Sequence, residues 1–426
     1  MKKKISIIVL LIMLSSSIMS SACVHNMPID KKESVGITDK GNYFEVNIDV
    51  KRCKTHWKVG EEYARKILKA VPDYERLVDS YLAECSGSDS TYQLYIKRVN
   101  DIKTQIPIDY INEIEGMASI FSGKAEDVSG DGKLSLQEIY MLNLFPDVAR
   151  STQCSALAVY GERSVSKKTI AERILDWYQG SQNQLAKLQA VITFKNDKKS
   201  ICSIGYLGFM GVISGFNNDR VFAAILDSRT GQPYSSESKN SYPMDLRYSL
   251  ENYKTIDGVA NYLKAAKRAY SIGHLIFLCD PKTAGVLENN MSTDVNSLRD
   301  VRRENSPLND GIEWGIDNSL GVVNSFMLIG NYDNHSSETG NVLRWDSMKN
   351  QLLSKGDEVT LDELKEIASY YTGSTVGTQA EGCLYNVRTQ QIIVYEPSTN
   401  HLEVFFRPED GVLPQVPEFE RVKVKF

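Results

Sequence analysis

The chain has 426 residues, 42% of them hydrophobic and 24% charged, which is the balance of a globular protein able to bury a large core. A net charge of -5 supplies no broad basic field, so nucleic acid is excluded as an expected partner. Seven cysteines lie scattered, without a CxxC pair, and five histidines form no ligand-spaced pair; neither a zinc site nor a dense disulfide framework is indicated.

MKKKISIIVLLIMLSSSIMSSAC opens with lysines, continues through an apolar run from Ile5 to Leu14 and ends in small residues before Cys23, the layout of an export signal over residues 1–22. The run is too short to span a membrane. Ser21 and Ala22 before Cys23 fit a bacterial lipoprotein signal while Ser20 departs from it, so lipidation of Cys23, with membrane anchoring, and simple cleavage both stand open. The expected location is the periplasm, the exterior or the cell envelope. In an exported chain a Cys53–Cys85 disulfide is compatible with the compartment.

From Val59 to Phe145, apolar residues recur at three and four, as in EEYARKILKAV and DYINEIEGMASIF, and residues 23–153 read as a helical prosegment. After Ser151 the period changes. CSALAVYG, LQAVITF, SICSIGYLGFMGVISGF, RVFAAILD, HLIFLC, AGVLE, GVVNSFMLI, GCLYNV, QIIVYEP and LEVFFRP read as strands between Gly, Asn and Asp turns. TIDGVANYLKAAKRAY and TLDELKEIASYY read as Thr-capped helices, and 292–310 as a surface loop. Hairpin-linked strands with few crossovers predict an α+β layered fold of antiparallel sheets over residues 154–426.

Within the prosegment, DVSGDGKLSLQE matches a calcium-loop spacing. Asp127, Ser129, Asp131, Lys133 (through its backbone carbonyl), Ser135 and Glu138 are the candidate ligands, and Gly132 sits at the tight turn. A hard cation needs oxygens around such a turn; the alternative is a polar loop joining two helices.

The change of period falls at Cys154. A cysteine that becomes a chain N-terminus carries a base in its own α-amino group, whose pKa of roughly 7.7–8.0 leaves it partly neutral near pH 7. An arginine nearby favours the thiolate and a carboxylate orients the amine, and Arg173 and Asp176 are of those types. Taken singly, Cys154 reads as a small core residue, Arg173 and Asp176 as a surface ion pair, and Asn217 and Asn324 as turn residues.

Cys154-Ser-Ala-Leu-Ala-Val, a hairpin, then Arg173-Ile-Leu-Asp176-Trp177 resembles the N-terminal-nucleophile hydrolases of the isopenicillin N acyltransferase type. These are related to choloylglycine hydrolase, penicillin V acylase and acid ceramidase; Ile174 replaces their usual Asn. Further stretches are similar in order: Gly211-Val-Ile-Ser-Gly-Phe-Asn217, Gly321-Val-Val-Asn324-Ser-Phe with Val323 and Ser325 as departures, and Asn341-Val-Leu-Arg344-Trp. The resemblance spans roughly Asp109 to the C-terminus and implies a four-layer αββα sandwich, cleavage between Gln153 and Cys154, and no cofactor for catalysis. It casts Cys154 as nucleophile and base, Arg173 as the charge beside the sulfur and Asp176 as holder of the amine. Asn324 and Asn217 become oxyanion donors, with Arg344 buttressing them.

The implied reaction cleaves the carbon–nitrogen bond of a small N-acyl amide (a penicillin, a conjugated bile salt, an N-acyl amino acid) through a thioester, and the two products of self-cleavage are expected to stay associated. Two alternatives are a hydrolase of lipid amides or phospholipids, of the acid ceramidase or phospholipase B-like type, and a non-catalytic calcium-binding surface lipoprotein.

Overall fold

The computed structural model describes residues 33–426 except 124–127, 150–152, 198, 229–233, 293–296 and 333. Residues Ser34–Phe426 form one compact unit. Its strands are β1 Val35–Asp39, β2 Phe44–Asp49, β3 Gln153–Val159, β4 Ile170–Asp176, β5 Gln189–Lys195, β6 Ile201–Tyr206, β7 Ser214–Asn217 and β8 Phe222–Asp227, followed by β9 His274–Cys279, β10 Ala284–Asn289, β11 Arg299–Arg302, β12 Ser319–Val322, β13 Thr389–Glu396, β14 His401–Phe406 and β15 Glu420–Val422. The helices are α1 Val50–Cys53, α2 His56–Ala70, α3 Tyr74–Ser86, α4 Asp89–Lys103, α5 Ile108–Ala118, α6 Leu136–Asn143, α7 Phe145–Val148, α8 Tyr242–Asn252, α9 Ile256–Leu263, α10 Thr339–Ser354 and α11 Leu361–Ala368.

Nine strands form one sheet in the order β1-β2-β5-β6-β7-β8-β9-β10-β11, and six form a second, β12-β3-β4-β13-β14-β15. Every pairing is antiparallel except that of β2 with β5. Alternation along the second sheet divides its side chains between two cores. Cys154, Ala156, Leu175, Ile393 and Tyr395 join the large core shared with the nine-stranded sheet, where Tyr395 stacks on Phe216 at 4.5 Å. Leu157, Ile174, Ile392 and Val394 face a separate core closed by Trp345 and Met348 of α10 and Leu364 and Ile367 of α11. On the far side of the nine-stranded sheet, α8 packs on β7, and α9 on β9 and β10. The expected α+β layering of helix, sheet, sheet, helix is therefore observed.

The segment before Cys154 is not wholly helical. β1 and β2 form a hairpin in which Val46 and Ile48 are buried while Glu45 and Asn47 are only partly covered, a period of two inside the stretch read as helix. The helices that follow match the 3.6 period. Val59, Tyr63, Ala64 and Ile67 form the buried stripe of α2, and Thr55 caps its first turn. α2 and α5 approach through two glycines: a Cβ at Gly60 would sit 1.9 Å from the Glu113 carbonyl oxygen, and one at Gly116 would sit 2.2 Å from that of Trp57.

Other local expectations are corrected. GCLYNV is a turn segment: the amides of Leu384 and Tyr385 both donate to the Tyr370 carbonyl, so its apolar run never enters a ladder. The strand expected over GVVNSFMLI stops at Val322, and the helix expected to run to Tyr270 stops at Leu263. The stretch 292–310 contains β11, paired with β10. Helices α8 and α10 carry buried polar residues, Arg247 and Arg344 among them, that blur their apolar stripes. Cys53 and Cys85 are free thiols. Among the described residues no helix is long and apolar enough to cross a membrane.

Candidate functional site

The β3–β4 ladder places Cys154 opposite Leu175 and Ala156 opposite Arg173, so Cys154 and Arg173 are diagonal neighbours on the face between the sheets. Arg173 Nη2 lies 3.4 Å from Cys154 Sγ and donates at 2.9 Å to the Ile225 carbonyl of β8, which fixes the guanidinium against the other sheet. Both side chains are buried. Burial pushes the Cys154 thiol up from its ordinary value, and the Arg173 charge pulls it back.

The main chain of Cys154 is held at both polar groups. Its N–H donates to Asn324 Oδ1 at 2.6 Å, and its carbonyl accepts from Arg344 Nη1 at 2.8 Å. Arg344 Nη2 also reaches Asn324 Oδ1 at 3.0 Å and Asn341 Oδ1 at 2.6 Å, so one turn of α10 supplies both the cation and a partner that orients it. Asn324 donates its amide to the Asp227 carbonyl at 2.7 Å. In the intact chain, then, the side-chain oxygen of Asn324 faces the main-chain nitrogen of Cys154.

Asp176 ends β4 in a fully buried position, paired with Gln153. Burial raises its pKa, opposed first by Arg344 and then by neutral donors. Thr389 Oγ1 donates at 2.8 Å to Oδ1, while Asn386 Nδ2 at 2.8 Å and Gln379 Nε2 at 2.9 Å share Oδ2. Gln379 comes from a short 3-10 turn at Gln379–Glu381, Asn386 from the turn segment that follows and Thr389 from the start of β13, where the sequence offers only an apolar run among polar residues.

Five of the six expected site residues, Cys154, Arg173, Asp176, Asn324 and Arg344, are thus brought together. Asn217 is not among them. Its amide donates to the Leu250 and Tyr253 carbonyls, both at 2.9 Å, and its Oδ1 accepts the Asp219 and Val221 amides. All its bonding capacity closes the β7–β8 turn against α8, which corrects the oxyanion role expected for it. Sequence reasoning passed over Asp227, which closes the apolar run of β8: its carbonyl positions Asn324, its Oδ1 accepts from Tyr242 at 3.0 Å, and its charge raises the Cys154 thiol. A carboxylate ending an otherwise apolar strand was the available signal.

Two of the three departures from the expected motifs lie off the face that carries Cys154 and Arg173. Ile174 and Val323 belong to the core under α10 and α11, and Ser325 Oγ accepts from Asn341 Nδ2 at 2.9 Å.

Helices upstream of the thiol pack on the end of β4 and on the β6–β7 connection. Tyr81 of α3 accepts from Trp177 Nε1 at 2.7 Å, Phe145 packs on Trp177 with ring centroids 6.0 Å apart, and Asn143 bridges Gly208 and Met210. Asp147 of α7, whose pKa burial raises, accepts from Ser241 Oγ and the Tyr242 amide. A cleft of about 520 Å³ opens beside α2 and α5 and is lined by none of the residues around Cys154.

Asp127 of the calcium-type loop lies outside the described residues. The amides of Gly130 and Gly132 donate to the two oxygens of Asp79 at 2.7 and 2.6 Å. Asp131 accepts the Lys133 amide, and Ser129 is half-buried. Ser135 and Glu138 form the capping box of α6, and Glu138 also accepts from Tyr92 at 3.0 Å. Among the described residues no group of three His, Cys, Asp or Glu could hold a metal ion. What these contacts visibly do is clasp a carboxylate and start a helix.

No family model and no curated protein matches the chain. Solved structures similar to it include a Caenorhabditis elegans ortholog of N-acylethanolamine-hydrolyzing acid amidase, 16% identical with a TM-score of 0.43 over 57% of this chain and 93% of that one. A mutant conjugated bile acid hydrolase from Clostridium perfringens is 15% identical, TM-score 0.39, over 64% and 97%. Penicillin V acylase from Agrobacterium tumefaciens is 10% identical, TM-score 0.33, over 59% and 83%.

Proposed function

We propose that this chain is the precursor of a cysteine amide hydrolase or acyltransferase of the N-terminal-nucleophile type, activated by cleavage between Gln153 and Cys154. The observation that carries the reading is the Arg173 guanidinium 3.4 Å from a buried thiol whose own N–H and carbonyl are gripped by Asn324 and Arg344. A structural core cysteine has no use for a buried cation at its sulfur.

In the precursor, Sγ attacks the Gln153 carbonyl carbon, the bond to the Cys154 nitrogen breaks, that nitrogen takes the thiol proton, and water hydrolyses the resulting thioester, releasing the upstream piece with a Gln153 carboxylate and restoring the thiol. In the cut enzyme the freed amine accepts the thiol proton as Sγ attacks the substrate amide. The carbon–nitrogen bond breaks, the proton passes to the leaving amine, and water or another nucleophile takes the acyl group from sulfur. Asp176 steadies the protonated amine, and Asn324, freed from its precursor contacts, donates to the oxyanion; one such donor typically carries about 2.7–4 kcal/mol. The substrate is a small N-acyl amide. The charged start and apolar run before Cys23 support export to the cell envelope or exterior as part of this reading.

Intact-mass analysis of the purified full chain tests the proposal. Two pieces breaking at Cys154, absent from Cys154→Ala, are expected together with release of amine from N-acyl amides; a wild-type chain that stays whole and inert rejects it.

A further inference from the structure

Between the two sheets, beside the thiol, several buried polar atoms have no partner among the described residues. Arg173 spends Nη2 on Cys154 and Ile225, but its Nε and Nη1 bond nothing, although the residue is fully buried. Tyr206, 7% exposed at the end of β6, has a hydroxyl without a partner. The ladders place these groups together. Cys154, Leu175 and Gln391 are successive partners in one row across β3, β4 and β13, and Gln391 Nε2 crosses to the other sheet, donating to Gln189 Oε1 at 2.7 Å and the Gly205 carbonyl at 3.2 Å. Gln189 is the strand partner of Tyr206. Tyr206 thus stands on the nine-stranded sheet over the row that contains the nucleophile, and the charges it feels there are first those of Arg173 and Cys154 and then that of Arg407.

Burying a hydrogen-bonding group unpaired is costly; here a guanidinium edge and a phenol stand unpaired while one acceptor of the same row, Gln391 Oε1, is also unused, so the donors outnumber the oxygen that could meet them. The Cys154 nitrogen points toward Asn324, so the leaving amine, which must collect its proton there, lies on that side of the sulfur. The rest of the acyl group is left on the Arg173 and Tyr206 side.

We infer that Tyr206 and the unused N–H groups of Arg173 form a subsite for an oxygen acceptor on the acyl group, so that the substrates are N-acyl amides with an oxygen a few bonds from the scissile carbonyl rather than plain alkanoyl amides. This rests on the amidase reading above and deepens it. Tyr206 is then a specificity-determining residue.

The test uses the matured full chain and two p-nitroanilides of equal length, butanoyl and methoxyacetyl, which differ by one oxygen in place of a methylene. The ratio of their kcat/KM values is measured for wild type and Tyr206→Phe, so that intrinsic reactivity cancels. Phe removes a hydroxyl that bonds nothing, which leaves folding intact, and Tm is recorded alongside. The methoxyacetyl preference is expected to fall about fivefold in the variant. A ratio unchanged between the two proteins, including a parallel loss on both anilides, overturns the subsite while leaving the amidase standing. A correctly cut wild-type chain that releases nitroaniline from neither substrate overturns the amidase reading and the subsite with it.

Discussion

Asn324 Oδ1 accepts the main-chain N–H of Cys154 at 2.6 Å while sharing Arg344 at 3.0 Å. The residue expected to serve the oxyanion therefore also fixes, in the intact chain, the nitrogen that cleavage would free. Asn324→Ala leaves that N–H and one Arg344 donor without an acceptor and lets Cys154 shift. Self-cleavage is expected to slow about 100-fold, the size of effect that a misplaced reacting group produces; a time course of intact masses reads it.

Arg173 offsets the effect of burial on the thiol. Arg173→Gln removes the cation, so the Cys154 pKa rises further and the thiolate fraction at pH 7 drops. In the matured enzyme, alkylation by a small haloacetamide at pH 7 is expected to slow about tenfold, and its pH profile to move to higher pH by about one unit.

Glu172, next along β4, faces the opposite core. It is fully buried, both its oxygens are unpartnered, and burial pushes its pKa up to about 8. A carboxyl whose folded pKa is raised holds its proton in the native state while the unfolded chain has lost it. Stability is therefore lost as pH rises from about 4.5 toward 8, by on the order of a few kcal/mol. Glu172→Gln removes this dependence: Tm is expected to rise at pH 8 and change little at pH 5.

Asp176 depends on Asn386, Gln379 and Thr389 for its bonds. Asn386→Ala strips one donor from a buried carboxylate and is expected to cost about 1–3 kcal/mol in urea unfolding. Asp176→Asn in the same background recovers part of that loss if the carboxylate's unmet demand is the cause.

Glu113 and Arg247 form a fully buried pair that ties α5 to α8, with contacts at 3.0 Å and 2.5 Å. Glu113→Ala leaves the buried guanidinium with Glu251 as its remaining ion pair, at 3.0 Å, and with unmet donors where Glu113 stood; it is expected to destabilise by about 1–3 kcal/mol, whereas exposed pairs such as Lys51–Asp197 contribute at most about 1 kcal/mol. Chemical denaturation of the two variants separates these cases.

Much of the layered fold was legible because period reports burial. CSALAVYG, LQAVITF, HLIFLC and QIIVYEP lie in strands where their patterns put them, and Thr255 and Thr360 cap the helices that they precede. Cys154, Arg173 and Asp176 were legible because one hairpin carries all three. The rest depended on contacts across long separations. Asn386 serves Asp176 from 210 positions away, and no local pattern marks it. Asn217 sat in a familiar-looking segment, but its four hydrogen bonds close a turn and tie it to the end of α8. The β1–β2 hairpin was hidden because two short half-buried strands precede a strongly periodic helical region.

The parallel seam between β2 and β5 joins Phe44–Asp49 to Ala190–Lys195, across the thiol in sequence. A polypeptide expressed from Cys154 onward would leave that flank of QAVITFK with bare amides and carbonyls along an apolar strand, a template for edge-to-edge aggregation. The upstream part of the chain acts in this sense as the sheet's selvedge, and a polypeptide begun at Cys154 is expected to aggregate rather than stay in solution.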